Sequence, residues 1–477
     1  MPFKPLSCVY GKVTIPQRFI VGIMLQLALI NSYHLRVVLN IAITEMIRPP
    51  QEQEKEYDSC PEFKHEKLDI KGGTFDWPTW LRAFILYAFF IGYALSQLPG
   101  GWLADRIGAR HVMGTCMLVS ITVSLVFPIS VEYGGHQAAI GLRAVLGLAQ
   151  GPMYPTTSSF LQKWAPVSER TFLAGIAFSG GNLGAFTGNL LTGVIIKETS
   201  NWPNAFYAWA VVAFVWYIFY LFMVFSRPST HPFITEKELK MLSEELEESK
   251  KFVVPWTQIL RSVPVYCILL SQLAHDYTYF TLVTDLPKYM KDILKLNIKD
   301  NATFSAIPFL ILGLSNVLFS KLSDFMIKRG CRTVVMRKVY SFVGNVFPAI
   351  CMVTAAHIGC TRAGAITLYT VGMFFMGLYY PGTMVNINDI SRHYSGTIMA
   401  LTNGLCSLTG IVGTFVVGHL TPHGTIEEWR KVFWIVFGVC TINTTIYVIF
   451  GKVDRQPWDY PKEEKEEEEG GGGGKTE

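Results

Sequence analysis

Residues 137–161 read QAAIGLRAVLGLAQGPMYPTTSSFL. The run is long enough to span a bilayer, since roughly 20 apolar residues of helix cross a hydrocarbon core, yet Arg143 sits about two turns inside its first end. A guanidinium at mid-membrane depth costs on the order of 3 kcal/mol on insertion scales, so it belongs against a protein or water-filled interior, with a group to hold. Gln150 lies seven residues on, two turns along the same helix face, with Gly147 between them. One polar stripe thus runs down an apolar helix. For this helix taken alone a second reading stays open, in which Arg143 snorkels to the headgroups.

The rest of the chain is as apolar as this stretch. Its 477 residues are 50% hydrophobic and 16% charged, with a mean hydropathy of +0.31, which marks an all-α polytopic membrane protein rather than a soluble one. A net charge of +5 then reports topology. No basic patch interleaved with aromatics is present, so no nucleic-acid partner is expected. The nine cysteines fall mostly in apolar runs, Cys60 alone clearly in a hydrophilic one, and form neither a disulfide framework nor a metal-binding spacing. With no Walker loop and no credible metal cluster, enzyme chemistry, a metal and a cofactor are not expected. Residues 1–14 are polar, and the first apolar run exceeds the h-region of a cleaved signal peptide, so the N-terminus is expected to be retained and cytosolic.

The first helix is expected at 19–44. Its SYHLRVVLN places Tyr33 and Arg36 three residues apart on one face, a second arginine within an apolar run. Residues 45–76 read as a solvated loop. Helix two (80–104) ends in SQLPGGWLADRIGARH, where Pro99, Gly100 and Gly101 are expected to break or bend the helix end, and Asp105, Arg106 and Arg110 form a charged turn before helix three (112–131). Helix four, the opening stretch, exits through LQKWAPVSER. Helix five (171–196) carries Gly180, Gly184 and Gly188 at a spacing that lets two helix backbones approach closely, as a sliding contact or as static packing. Helix six (205–225), with FVWYIFYLF, is expected to meet lipid. Residues 226–262 turn charged, and Thr235 with Glu238 has capping-box spacing at the start of a short amphipathic helix, read as a cytosolic connector.

The second half repeats the plan of the first. Helix seven (263–287) holds HDYTYF with His275 and Asp276, and helix eight (303–326) ends in SKLSDFMIKRGCR. Helix nine spans 339–357. Helix ten (363–384) exits through PGTMVNINDISRHYSG, which includes Asn386; helix eleven (397–420) is threaded with Gly404, Gly410, Gly413 and Gly418, and helix twelve spans 432–450. Asp324 answers Asp105, and NINDISRHYSG answers LQKWAPVSER. Twelve transmembrane helices in two six-helix halves, 1–225 and 263–452, are the parallel-repeat plan of the major facilitator fold, whose substrate site lies between the halves near the midplane. Residues 453–477, with KEEKEEEEGGGGG, have a composition that builds no core and are expected to be a disordered tail. Basic residues cluster in the turns after helices two, four, eight and ten, which places both termini in the cytosol. Lys288, Lys291, Lys295 and Lys299 on an outer loop run against that rule.

GYALSQLPGGWLADRIGAR resembles the major facilitator signature turn. Together with RAVLGLAQGPMYP, KWAPVSER, YTYFTLVTDLPKYMKDIL, NDISRHYSGTIMALTN and EEWRKVFWIVFG, it resembles the anion:cation symporter family over nearly the whole chain, 17–458. That family includes type I sodium-phosphate cotransporters, sialin and vesicular glutamate transporters, and the likeness is closest to its arthropod inorganic phosphate branch. The resemblance implies an anion held by arginines of helices one and four, which match Arg36 and Arg143, and a desolvated guanidinium is a natural fork for carboxylate or phosphate. The chain also departs from the family. Gln150 stands where proton-coupled members have a glutamate, and the histidine on helix two and arginine on helix seven of the vesicular glutamate carriers are matched by Leu86 and His275. Gln150 is similar to the sodium-phosphate and organic-anion branch. His275 either titrates near neutral pH or serves as a hydrogen-bonding pore residue.

The expectation is a monomeric plasma-membrane carrier that moves inorganic phosphate or an organic anion by alternating access, with sodium as the coupling cation. A proton-coupled vesicular or lysosomal exporter of acidic sugars or amino acids, an anion-binding receptor and an anion channel are the alternatives. Substrate contacts are assigned to Arg36, Arg143, Tyr33, Gln150, His275 and Asn386. Gating falls to Asp105, Arg106, Arg110 and Asp324, and a glycan acceptor to Asn301 in the sequon Asn301-Ala302-Thr303.

Overall fold

The computed structural model describes residues 16–46, 73, 75–245, 254–285, 289–290, 293, 298–359, 361–421 and 425–460. Among them, nine helical stretches are long and apolar enough to cross a membrane. One of these, Ala109–Trp164, has 56 residues, which would reach about 84 Å if straight, against a hydrocarbon core of about 30 Å. It therefore holds two crossings, helices three and four. The reversal falls at Gly135, whose φ of 56° and ψ of −142° suit a residue without a Cβ. Val123 before it and Leu146 after it consequently share one apolar cluster with Phe89 and Tyr93. Helix five, Arg170–Thr199, and helix seven, Val263–Phe280, complete the twelve. Both are more polar, with Ser179 and Asn182 in one and Gln272, His275 and Asp276 in the other.

Helix one is Gln17–Met46, helix two Thr79–Ile107, helix six Pro203–Met223, helix eight Ile298–Lys328 and helix nine Thr333–His357. Helix twelve, Ile426–Phe450, starts earlier than its apolar pattern implies, because Thr425 and Glu428 form a capping box that lets the charged EEW turn begin the helix. The PGG at 99–101 does not end helix two, which runs on to Ile107. Gly101 instead lets it lie against helix eleven, where a Cβ would stand 2.6 Å from the carbonyl oxygen of Gly396. Helix six turns Val211, Phe214, Ile218 and Phe222 outward as an exposed apolar face, as its composition implies. Asn301 falls in the first turn of helix eight, and its side chain lies outside the described residues. So do the side chains of Lys288, Lys291, Lys295 and Lys299, most of the loop at 45–76, and the tail beyond Tyr460.

The two halves meet where helix five lies along helix eight and helix two along helix eleven. The glycine stripe of helix five faces elsewhere. Gly180 sits on the carbonyl of Gln26, and a Cβ on Gly184 would stand 2.7 Å from the carbonyl oxygen of Ile30, so the stripe seats helix five on helix one within one half. It is static packing.

Four helices lose their regular winding near mid-length. Helix four breaks at Gly151 and Pro152 and resumes as Met153–Trp164, and helix seven continues into a π-turn at Thr281–Asp285. Helix ten passes from Arg362–Met376 through a π-turn at Tyr380–Met384 into Val385–Ile390. Helix eleven is divided into Ser395–Cys406 and Thr409–Leu420. The wide turns of helices seven and ten are of a kind frequent at functional sites.

Two short segments cover one end of the bundle. In the connector, the Glu238 N–H donates to the Thr235 hydroxyl at 3.3 Å, but the Glu238 carboxylate leaves the capping box and accepts the N–H groups of Gln17 and Arg18 at 2.9 and 3.1 Å. After helix twelve, residues 451–460 fold back under the loop between helices ten and eleven. There Asp459, 1% exposed, accepts from Ser391 Oγ, from the N–H groups of Arg392 and His393, and from Arg455 Nε at 2.7 Å.

Candidate anion site and gate

Helix one runs uninterrupted through the middle of the bundle and brings Arg36 there. Its guanidinium carbon lies over the rings of Tyr33, Phe89 and Tyr93, at 4.5, 4.6 and 4.7 Å from their centroids. Such faces attract a cation without neutralising it. Its Nε donates to Gln150 Oε1 at 3.3 Å, and Gln150, fully buried, spends its own Nε2 on the carbonyl of Ser32 at 3.0 Å. The stripe on helix four therefore faces helix one. Arg143, 3% exposed, donates from Nη1 to the backbone carbonyl of Arg36 at 3.0 Å, and its Nε has no partner. Neither arginine forms an ion pair among the described residues.

A cavity of about 50 Å³ opens in front of Arg36, between the halves. That is room for a few water-sized groups. Tyr33, Tyr93 and Tyr154 line it from the first half, and His275, Asp276 and Tyr380 from the second. The hydroxyls of Tyr33 and Tyr154 lie 3.3 Å apart, and Asn182 Nδ2 donates to Tyr380 Oη at 2.9 Å. His275 is 3% exposed and stacks on Tyr379 with centroids 3.6 Å apart, leaving Nδ1 without a partner.

Of the six residues assigned to substrate from sequence, Arg36, Tyr33 and His275 line this cavity. Gln150 and Arg143 stand one layer behind it, against helix one. Asn386 lies away from it, where its Nδ2 donates to Tyr447 Oη and to the carbonyl of Lys452. Sequence reading did not assign Tyr93, Tyr154, Tyr380, Asp276 or Asn403 to the site. Asn403 accepts from Gln272 Nε2 and donates to Gln97 Oε1, joining helices seven, eleven and two. Its one signal is a polar residue inside an apolar run, and many such residues only pair with a neighbour.

Toward the connector end the path is closed by contacts across the halves. Asp105 accepts the N–H and hydroxyl of Thr397, at 3.1 and 2.9 Å, in the first turn of helix eleven. Asp324 accepts the N–H of Phe172 at 2.7 Å, in the first turn of helix five. Each aspartate of the repeated turn thus caps a helix of the opposite half, where the exposed N–H groups favour an anion. Ser158 Oγ donates to Asn388 Oδ1 and Gln162 Nε2 to the carbonyl of Ser391, so the two matching exit sequences touch. Arg337, missed in the sequence, pairs with Asp389 at 2.8 Å and reaches Thr171 of the other half. Arg106 and Arg110 make other contacts: Arg106 lies over Trp102, and Arg110 donates to the carbonyl of Leu221 and lies over Phe225.

Two six-helix halves with interrupted helices around a cavity between them are the architecture of a membrane transporter. The chain belongs to the Major Facilitator Superfamily, whose sequence model matches residues 18–414. Within it the relatives are those of the anion:cation symporter family. A Drosophila melanogaster protein named "Putative inorganic phosphate cotransporter" is 32% identical over 461 residues, 94% of this chain and 87% of the relative. Human sialin is 31% identical over 437 residues (89% and 87%), and human vesicular glutamate transporter 2 is 30% identical over 459 (94% and 76%). These are transporters, not enzymes. Among solved structures, a proton:xylose symporter of the same superfamily superposes with a TM-score of 0.68 at 12% identity, covering 91% of this chain and 96% of its own, a likeness of fold alone.

Proposed function

We propose that this protein is a secondary active transporter that moves a small anion, inorganic phosphate or an organic carboxylate, together with a cation. One observation carries the reading: Arg143, buried, and Arg36, half-buried, form no ion pair among the described residues, and Arg36 faces a cavity between the halves. An uncompensated guanidinium in a low-dielectric site calls for a bound anion. Arg36 makes the direct contact. Arg143 fixes Arg36 and adds its charge from behind. Tyr33 and Tyr154 supply hydroxyls at the rim. The halves at 1–225 and 263–452 rock about this site, with the caps at Asp105 and Asp324 released in turn. The names of two relatives, for phosphate and for glutamate, support the anionic class.

In this reading the capped end and the connector face the cytosol, with both termini, in the plasma membrane. Asn301 then lies on the outer side within reach of glycosylation, and the protein acts as a monomer. The coupling cation, expected from the sequence to be sodium, must meet its negative partner elsewhere than on helix four, because Gln150 carries no charge.

The test is counterflow and uptake of labelled phosphate, urate, glucuronate and aspartate in proteoliposomes, under separate sodium, proton and voltage gradients. Saturable counterflow that is lost in Arg36→Ala supports the reading. Binding without counterflow indicates a receptor, and currents far above carrier turnover indicate a channel.

A further inference from the structure

Asp276 is a second charged residue of the cavity, on the wall contributed by helix seven. Its carboxylate has no hydrogen bond and no ion pair among the described residues. A bare carboxylate in such a place is costly unless something neutralises it. Its neighbour in the chain, His275, lines the same cavity with a buried Nδ1 that also lacks a partner. We propose that Asp276 carries the coupling proton. This inference rests on the anion-transport reading and assigns the cation's place within the same cavity.

The surroundings select a proton over a sodium ion. A hard metal cation needs a shell of several oxygen ligands, whereas the polar groups around Asp276 are mostly engaged elsewhere. Tyr380 Oη takes the amide of Asn182, Asn403 is bonded to Gln272 and Gln97, and Tyr379 Oη turns to Met384 Sδ at 3.9 Å. The remaining neighbours are largely rings. A proton needs no shell. The titratable groups facing Asp276 are His275 and Tyr279 on its own helix, Tyr379 and Tyr380 on helix ten, and Cys406 on helix eleven, with Arg36 and its tyrosines across the cavity.

Coupling then follows from charge. An anion entering beside Arg36 shares a small low-dielectric space with Asp276, and two like charges there repel by several kcal/mol at an effective dielectric of about 20. Protonation of Asp276 removes the repulsion, so proton and anion each raise the other's affinity by the same factor. The carboxyl proton travels with the anion and is released once the anion has left. The carboxyl that takes the proton thus stands on helix seven, while helix four offers only the neutral Gln150.

The experiment uses the full chain in liposomes with labelled phosphate and labelled glucuronate as probes. Wild type is expected to accumulate the probe at least tenfold under an inward proton gradient without sodium, and to show little response to a sodium gradient at equal pH. Asp276→Asn is expected to lose that accumulation while still exchanging probe across the membrane, with exchange no longer varying with pH. Asp276→Glu is expected to keep accumulation with a displaced pH profile. Uphill uptake in Asp276→Asn equal to wild type, or accumulation driven by sodium alone, overturns the proposal. Absence of exchange in wild type would instead strike the transport reading itself, and monodispersity of each variant in detergent separates loss of coupling from loss of fold.

Discussion

Arg143 donates from Nη1 to the backbone carbonyl of Arg36 at 3.0 Å, so the arginine of helix four holds the helix segment that presents the arginine of helix one. The two are consequently not equivalent. Arg36→Ala is expected to lower kcat/KM by about a hundredfold or more, since charge-assisted hydrogen bonds are worth roughly 1.5–3 kcal/mol each. Arg36→Lys is expected to raise KM about tenfold through loss of the planar fork. Arg143→Lys keeps a donor near the same carbonyl and is expected to raise KM only about threefold. Uptake kinetics at matched surface abundance check the order, and an Arg143→Lys defect larger than that of Arg36→Lys would reverse the assignment of roles.

Gln150 offers an acceptor to Arg36 Nε and a donor to Ser32. Replacing it by glutamate puts a competing anion on the guanidinium. Gln150→Glu is expected to bind anions weakly at neutral pH and to recover as the pH is lowered, because only the protonated side chain leaves Arg36 free. A profile of transport against pH that parallels wild type at every point would show that Gln150 does not address Arg36 in the working protein.

Asp105 and Asp324 cap helices eleven and five across the halves. Loss of one such cap costs about 1 kcal/mol. Asp105→Ala and Asp324→Ala are each expected to shift the balance between conformations about fivefold toward opening at the connector end, and the double variant by about the product. Alkylation of a cysteine placed at Ser407, with the native cysteines replaced, reads the shift from the connector side. Unchanged labelling in the double variant would mean that these contacts do not close the path.

Asp459 tests the strap after helix twelve. Burial pushes its carboxyl up, but His393, Ser391, the Arg392 N–H and Arg455 outweigh that and hold it below the usual carboxylate range. The strap's stabilisation is therefore complete above a pH of about 4 and is lost as pH falls through the lower folded value. Protection of residues 451–460 against hydrogen exchange, relative to the intrinsic rate at each pH, is expected to hold from pH 5 to 8 and to decline as the pH falls below about 4. In Asp459→Asn it is expected to be low throughout. Slow exchange in that variant would show the strap to be held by other contacts.

Much of this was legible in the sequence, because two arginines in apolar helices and a repeated charged turn each state a physical problem that few folds solve. Tyr33 and Arg36 share a face as the helical period requires, and Asp105 and Asp324 stand in matching places. The cavity walls were not legible. Tyr379, Tyr380 and Asn403 sit in apolar runs where a pore residue and a packed one look alike, and only tertiary contact separates them. Asn386 illustrates the converse: its place on a suggestive exit sequence does not bring it to the cavity, since Tyr447 and Lys452 take its amide. The interruptions at 151–152 and 407–408 were equally hidden, because a Gly-Pro step or a serine inside a helix marks a break only when the packing around it demands one.

Glu238 changes how the connector works mechanically. By gripping the first amides of helix one, while Arg18 also reaches Glu169, it clamps the connector helix to the half that holds Arg36. The connector helix then travels as an outrigger of that half. Any turning of that half therefore carries the connector helix with it. Glu238→Gln, which weakens the grip on the Gln17 and Arg18 amides, should uncouple that helix from helix one without touching the anion.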